Sequence, residues 1–426
     1  LIPFYSEGIF LETLPETFIM RILVLNAGSS SQKSCLYDLP EDAFPVSAPT
    51  PLWEAKIDWT HQQDVAELEV KTKLGATLKE DIPNQTRSQV IAHMLETLWS
   101  GDTRVIEAAS EIDIVGHRVV HGGADYRDSV LITPEVKATI ERLSVFAPSH
   151  NPVNLEGINA IEQALGDVPQ VAVFDTAFHS NLPLDATVYP IPYEWFEKGV
   201  RRYGFHGISH QYCLQRSAQV LNRDPNDLKL ITCHIGNGCS LAAIQNGHSI
   251  DTTMGFTPLE GLMMGSRSGS IDPSILIHLM RQEGFTANQL DQMLNKASGL
   301  KGVSEVSADM RRIRAAIAEG SDRAKLALDI YVHRLRSGIG AMLASLQGTD
   351  AIVFTAGIGE NDAKLRAATC EAFEFLGWKL DAEKNQAHPV DQDVALPEST
   401  VRILVIQTQE DWAIAQEAQR IGLRSR

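Results

Sequence analysis

No apolar run in this chain approaches membrane-spanning length, and neither a CxxC nor a His-Glu-x-x-His spacing occurs. A transmembrane helix is therefore not expected, and the commonest dithiol and zinc patterns are missing. The five cysteines, Cys35, Cys213, Cys233, Cys239 and Cys370, are odd in number and scattered. They read as reduced thiols of a cytosolic protein, each a small core residue. Positive charge is also in short supply: 37 Lys and Arg stand against 54 Asp and Glu, for a net charge of −17. Nucleic acid and anionic membranes need a basic surface and are not expected partners. What remains is a chain of 426 residues, 44% hydrophobic, longer than one core usually supports, so two domains are expected.

Residues 1–19 are apolar but carry Glu7, Glu12 and Glu16, with no basic leader and no obvious cleavage site. They read as an N-terminal extension dispensable for the fold. From Met20 onward short apolar strands alternate with amphipathic helical stretches, the pattern of an α/β protein. Strands are expected at 112–116, 170–174, 228–233, 351–355 and 401–406, and helices at 87–100, 134–145, 209–222, 322–347 and 410–421.

Three glycine-bearing turns follow strands. Arg21 to Lys33 runs an apolar strand into a turn holding Asn26, Gly28, Ser29, Ser30, Ser31 and Lys33. Such a turn offers N–H groups, hydroxyls and a positive charge to phosphate, and Asn26 offers an amide oxygen to a metal's water shell. It lacks the Walker A sequence, and the residues after it, Ser34 to Leu39, read as a second strand, so a β-hairpin holds the phosphates. Leu230 to Gln245 repeats strand, Gly-rich turn and strand, with a further turn at Asn246-Gly247. Two such loops about 200 residues apart suggest a duplicated fold with a nucleotide between its halves. The third element, Ala351 to Asn361, is a strand, a Gly-x-Gly turn and a helical stretch, suited to meet a ribose or phosphate.

Histidines crowd between Gly116 and Gly238: His117, His121, His150, His179, His206, His210 and His234. Zinc is the rival reading, but their Gly- and Asn-rich surroundings suit phosphate better. Arg118 stands at a strand end before a Gly turn, where its planar fork can clamp a carboxylate or phosphate. Asp175 ends an apolar strand, a common place for active residues in α/β proteins. His206 lies in a Gly-flanked turn before a helix that Ser209 can cap, and a helix start disfavours a proton on it. His210 reads as structural or as a support behind the residues that touch substrate. Arg267 sits between Gly265 and Gly269, read as flexible hinges.

In order and wording, Asn26–Lys33, His117–Gly123, Phe174–His179, Tyr203–His210, His234–Ser240, Met264–Pro273 and Thr355–Asn361 resemble the signature segments of the acetate kinase family. The resemblance runs from Met20 to the C-terminus. It implies two duplicated ribonuclease-H-like, actin-like ATPase domains: 20–175 with 411–426 on the acyl side, and 176–410 for nucleotide binding and dimerisation. It further implies reversible transfer of the ATP γ-phosphoryl group to acetate, giving acetyl phosphate and ADP, in a cytoplasmic homodimer that requires Mg²⁺, with Mn²⁺ as the alternative. Carried over by position, Asn26 and Glu410 support the metal and Lys33 lies near the phosphates. Arg118 and Arg267 hold the carboxylate and the transferring group beside Asp175 and His206. His234, Ile235, Gly236, Asn237 and Gly238 contact phosphate. Asp309, Met310 and Arg311, with Gly357, Ile358, Gly359, Glu360 and Asn361, line the adenosine side. Acetate is already ionised near neutral pH, so Asp175 is read as an orienting or electrostatic residue, although the family is often described with it as proton acceptor.

Two positions depart from the family pattern. Ser270 stands where Asp is common, which is expected to change a local turn contact, and Ser149 stands where Leu is common. The resemblance places Ser149 with Val120, Phe205 and Pro258 around the acetate methyl group, which opens acyl-chain preference to question. The rival activities are a propionate or short-chain acyl kinase and, from another class, an actin-like or chaperone-like nucleotide switch. A switch has no evident need for Arg118 and Arg267.

Overall fold

The computed structural model describes residues 19–424 apart from 29–30, 42–44, 46, 63 and 84. Most of the 1–19 extension and the hydroxyls of Ser29 and Ser30 thus lie outside the described residues. Among those described, the strands form two sheets. The first holds β1 (Ile19–Ala27), β2 (Ser31–Pro40), β3 (Trp53–Gln62), β4 (Val65–Thr72), β5 (Thr77–Pro83), β6 (Ile114–Val119), β7 (Val130–Leu131) and β8 (Gln170–Phe174). The second holds β9 (Lys229–Ile235), β10 (Cys239–Gln245), β11 (His248–Thr252), β12 (Ala351–Thr355), β13 (Gln392–Asp393) and β14 (Arg402–Val405).

The strand orders are β5-β4-β3-β2-β1-β6-β8-β7 and β11-β10-β9-β12-β14-β13. Their centres match strand for strand. β3-β2-β1 is antiparallel and β1-β6-β8 parallel, just as β11-β10-β9 is antiparallel and β9-β12-β14 parallel. The duplication expected from the two hairpins is therefore present in the topology, not only in the loops.

Period-two alternation explains why each sheet is covered on both faces. In β1, Met20, Ile22 and Val24 pack with Trp412, Ala415 and Ala418 of the C-terminal helix Glu410–Arg424. Leu23 and Leu25 face the other way, toward Val90, Ile91, Met94 and Leu95 of the helix Arg87–Glu96. In the second sheet, Ile231, Cys233, Ile352 and Phe354 pack on the long helix Asp322–Leu346. Leu230, Ala351 and Val353 pack on Cys213, Leu214 and Ala218 of the helix Gly207–Leu221. That helix also sends Ile208 into the core under the C-terminal helix, so the two helices are wedged together between the sheets. All five cysteines are buried and free. No helix among the described residues is long and apolar enough to cross a membrane.

Candidate active site

Parallel pairing of β6 with β8 sets Arg118 opposite Val173, and Asp175, just beyond β8, donates its N–H to the Val119 carbonyl at 3.0 Å. The Arg118 guanidinium then reaches Asp175: Nε and Nη2 both donate to Oδ2, at 3.0 and 2.5 Å. Asp175 is 1% exposed, and its Oδ1 has no hydrogen-bond partner among the described residues. Burial pushes the Asp175 carboxyl above its ordinary value and Arg118 opposes that push. Burial likewise works against the Arg118 charge, but Asp175 and Glu410 more than offset it and its pKa is raised.

The first hairpin adds a carboxylate cluster. At the end of β1 the Asn26 amide donates to Asp411 Oδ1 at 2.8 Å and to Glu410 Oε2 at 3.4 Å. Lys33 lies opposite Asn26 on β2 and is exposed. Burial pushes Glu410 up, but Arg118, His234, Asn26 and Lys33 together hold it below its ordinary value, whereas Asp411 is raised, chiefly by burial. Gly28 differs from expectation: its N–H is taken by the Ser31 carbonyl at 2.8 Å, closing the hairpin instead of facing an anion.

His206 begins the helix Gly207–Leu221 with a left-handed backbone, φ 56°. It occupies the capping position itself, so Ser209 lies inside the first turn and does not cap; its hydroxyl bonds His234 Nδ1 at 2.8 Å and Thr408 Oγ1 at 3.1 Å. Gly207 is required here. Its N–H donates to the Asp175 carbonyl at 2.8 Å, and a Cβ would stand 2.2 Å from that oxygen. The His206 and His234 rings stack, centroids 4.1 Å apart and 18° from parallel. Burial, then His234, His210 and the charges of Arg118 and Arg267, push His206 well below its ordinary value, so both imidazoles are neutral near pH 7. Burial is the largest cause, and it acts in the same direction as the helix-start effect the sequence suggested.

Arg267 approaches from the segment between β11 and the helix Pro273–Gln282. Its Nη1 donates to the Pro258 carbonyl at 2.9 Å, and it forms no ion pair among the described residues. The position a Cβ would take on Gly238 is 3.4 Å from His206 Nε2 and 3.5 Å from Arg267 Nη1, so the Gly236–Gly238 turn, the imidazole and the guanidinium meet at one point. Burial lowers the Arg267 pKa, and the like charge of Arg118 adds to that. The flanking glycines are closely packed. A Cβ on Gly265 would fall 2.2 Å from Asn237 Oδ1 and one on Gly269 2.3 Å from the Leu262 carbonyl, so both permit close packing. Ser270 accepts from Gly261 N–H at 3.0 Å and closes the same loop.

The remaining expected residues divide. Gly265 N–H donates to the Asn237 carbonyl, and its Cβ position is 3.1 Å from the Ala308 carbonyl, which brings Asp309 and buried Met310 to the Gly236–Gly238 turn. Asp309 caps the helix Met310–Ala318 and holds the exposed Arg311 guanidinium at 2.6 Å. The Gly-x-Gly is no separate turn: a helix runs Ala356–Asn361 straight from β12, with Gly357, Ile358 and Gly359 in its first turns. Glu360 faces away, accepting from Thr408 N–H at 2.9 Å, and Asn361 donates to the Gly357 carbonyl. Val120 and Phe205 share one core cluster, and Pro258 sits beside Arg267. Ser149 is exposed and makes no hydrogen bond among the described residues.

Asp411 and Arg366 are not evident in the motifs, and His150, counted there only among the crowded histidines, has a definite place. Asp411 follows Glu410 at a helix start, a doublet that could have flagged it. His150, at the start of the helix Asn151–Leu165, is pushed down to about 4 by burial and then by Arg118 and Arg267. Arg366, 1% exposed, donates to the Gly359 and Glu360 carbonyls at 2.8 and 2.7 Å and fixes the end of the Ala356 helix.

Two sheets of like topology, with paired and unpaired guanidiniums, neutral imidazoles and a carboxylate cluster brought together at glycine turns, define a phosphoryl-transfer enzyme of the kinase type. The chain belongs to the acetokinase family, whose model matches residues 21–416. It is 66% identical over 398 residues to an acetate kinase of Cyanothece sp., covering 93% of this chain and 97% of that protein. The crystal structure of Porphyromonas gingivalis acetate kinase superposes with a TM-score of 0.86 at 40% identity, covering 94% of this chain and 99% of that one. A propionate kinase from Francisella tularensis superposes with a TM-score of 0.85 at 36% identity, covering 94% and 100%.

Proposed function

We propose that this chain is an ATP:acetate phosphotransferase, moving the γ-phosphoryl group of ATP reversibly to acetate. The observation that carries the reading is Arg267: a half-buried guanidinium, without a carboxylate partner among the described residues, beside a second guanidinium and two neutral imidazoles. A buried charge without a counter-charge is costly, and an anionic transferring group supplies what is missing. In the reaction an acetate oxygen attacks the γ-phosphorus in line, the bond to the β,γ-bridging oxygen breaks, and ADP leaves with that electron pair. No proton need be removed from acetate. Loose phosphoryl transfer depends on charge neutralisation more than on covalent help.

The residues take roles accordingly. Arg118 and Arg267 grip the carboxylate and the transferring oxygens. Asp175 orients Arg118, since both its contacts go to that guanidinium. His206 donates to a phosphoryl oxygen as a neutral imidazole. Lys33, the His234–Gly238 turn, Asp309 to Arg311 and Gly357 to Asn361 form the nucleotide side, and Val120, Ser149, Phe205 and Pro258 the acyl side. Ionised Glu410, with Asn26 and Asp411 beside it, suits Mg²⁺ or Mn²⁺ carried on ATP, because such ions take one or two carboxylates with phosphates and water. Among the described residues no group of three His, Cys, Asp or Glu could hold a metal without substrate. When bound, the ion neutralises phosphate charge.

The lobes in this reading are 20–175 with 411–426, and 176–410, in a cytoplasmic homodimer. The helix Pro273–Gln282 is a candidate dimer surface, since it buries no residue and exposes Ile275, Ile277 and Met280. The activity is tested by ADP release with acetate, propionate, butyrate or no acid. Release that requires an acid and has its highest kcat/KM with acetate is expected. Release without acid contradicts the assignment and favours a nucleotide switch.

A further inference from the structure

Behind His206 a hydrogen-bonded chain runs from the Gly238 turn into the second sheet. His206 Nδ1 is 2.8 Å from Ser240 Oγ, the same hydroxyl is 2.8 Å from His210 Nε2, and His210 Nδ1 is 2.7 Å from Thr232 Oγ1. The members come from three elements: Thr232 from β9, Ser240 from β10, and His210 one turn along the helix that His206 begins. Thr232, Ser240 and His210 are all 0% exposed, so water does not complete the chain. His206 Nε2, the free end, has no hydrogen-bond partner among the described residues and lies at the Gly238 turn near Arg267.

A hydroxyl carries one proton. It also has two lone pairs, but accepting from both imidazoles would strand its buried proton, since the two ring nitrogens are its only partners among the described residues. Ser240 therefore donates to one imidazole and accepts from the other, which locks their tautomers together. In one arrangement Thr232 donates to His210 Nδ1, His210 Nε2–H donates to Ser240, and Ser240 donates to His206 Nδ1. His206 then carries its proton on Nε2. In the reverse arrangement the chain ends on the Thr232 proton, whose onward acceptor is the Ala242 carbonyl at 3.5 Å, at the limit of a hydrogen bond. It also turns a bare nitrogen lone pair toward the place where an anionic group is expected. The first arrangement has only the short bonds and presents an N–H there. Burial holds both imidazoles well below the ordinary histidine value, as neutrality in this scheme requires.

We propose that Ser240 and His210 are positioning residues that fix His206 as the Nε2–H tautomer, turning it into a hydrogen-bond donor toward the transferring phosphoryl group. The chemical assignment rests on the role of His206 given above, but the tautomer does not. His234 is tied through Nδ1 to Ser209 and on to Thr408, so the stacked partner is held by a separate chain and does not share the Ser240 proton.

Nitrogen-15 NMR of the full-length protein labelled at histidine distinguishes the tautomers directly. The wild-type protein is expected to show His206 and His210 both protonated on Nε2. A His206 protonated on Nδ1 overturns the proposal, whatever any variant does. Ser240→Ala is expected to move His206 to a mixture of tautomers and to lower kcat by about 10- to 100-fold while KM for ATP stays within about twofold. Ser240→Thr, which keeps the hydroxyl, should recover most of the rate. Wild-type turnover in Ser240→Ala, or a loss carried by KM for ATP alone, also overturns it. His206→Ala tests the underlying role separately: normal turnover there removes His206 from the chemistry while the wild-type tautomer still reports on the chain.

Discussion

Arg118 and Arg267 look alike in the motifs but differ in what their removal leaves behind. Each Ala variant is expected to lower kcat by about 10²-fold, the effect of losing a charge donor to the transition state, with poor rescue by Lys, which lacks the fork. Their effects on stability should diverge. Arg118→Ala strands Asp175, buried and otherwise unpaired, at a cost of about 3–5 kcal/mol, whereas Arg267→Ala strands no carboxylate and should melt no lower than the parent. Equal melting temperatures for the two variants would contradict the pairing. At the acyl side, Ser149→Leu is expected to lower KM for acetate and raise the acetate-to-propionate ratio of kcat/KM, by roughly the 1–3 kcal/mol of a methylene-sized contact; an unchanged ratio takes Ser149 out of the pocket. Residue types and their Gly-flanked positions were legible in the sequence because local backbone demands write themselves into glycines. The partners of His206 were not, since Ser240 lies 34 residues along the chain and joins it only through the packing of β10 on the helix. The misplaced cap at Ser209 has a similar cause: a left-handed His206 starts the helix earlier, and residue preference alone does not reveal that.

Elements with continuous apolar runs, such as β8, β12 and the helix Asp322–Leu346, lie where the sequence puts them within a residue or so. β6 is shifted by a few residues, to Ile114–Val119, and that shift brings Arg118 inside the strand. β3 to β5 escape a search for apolar runs because only alternate residues point inward. Trp53, Ala55 and Ile57 are buried between Glu54, Lys56 and Asp58. The buried anchor Arg366 was equally hidden, because its acceptors are three backbone carbonyls and the amide oxygen of Asn385, none of them a charged partner that a sequence pattern would flag. Two variants test how elements carry the site. In Gly207→Ala the new Cβ meets the Asp175 carbonyl, so a stability loss of about 1–3 kcal/mol and a fall in kcat are expected together. A fully active, fully stable variant would show that the His206 turn and the end of β8 are not clamped. Arg366→Met should raise KM for ATP more than KM for acetate, because it frees the end of the Ala356–Asn361 helix, and an equal rise in both would contradict that.

At the scale of the molecule, several buried histidines make stability depend on pH. Burial pushes His117, His121 and His179 down to about 4. The unfolded chain takes up protons near the ordinary value of about 6.5 while the folded chain declines them, so stability is complete above that pH and is lost as pH falls toward 4. Each such histidine costs about 1.4 kcal/mol per pH unit in that window. Thermal melts should therefore drop steadily between about pH 6.5 and 5, and a flat profile would contradict neutral burial. The duplicated topology, two matching sheets with two helices wedged between them, was foreshadowed by the repeated hairpins, but the strand order that makes the halves equivalent needed the structure. An acetate phosphotransferase is distinguished above all by where the phosphoryl group goes. With ATP, Mg²⁺ and acetate present, hydroxylamine trapping should yield acetohydroxamate in step with ADP, one for one. ADP formed without hydroxamate would mean that water, and not acetate, receives the phosphoryl group.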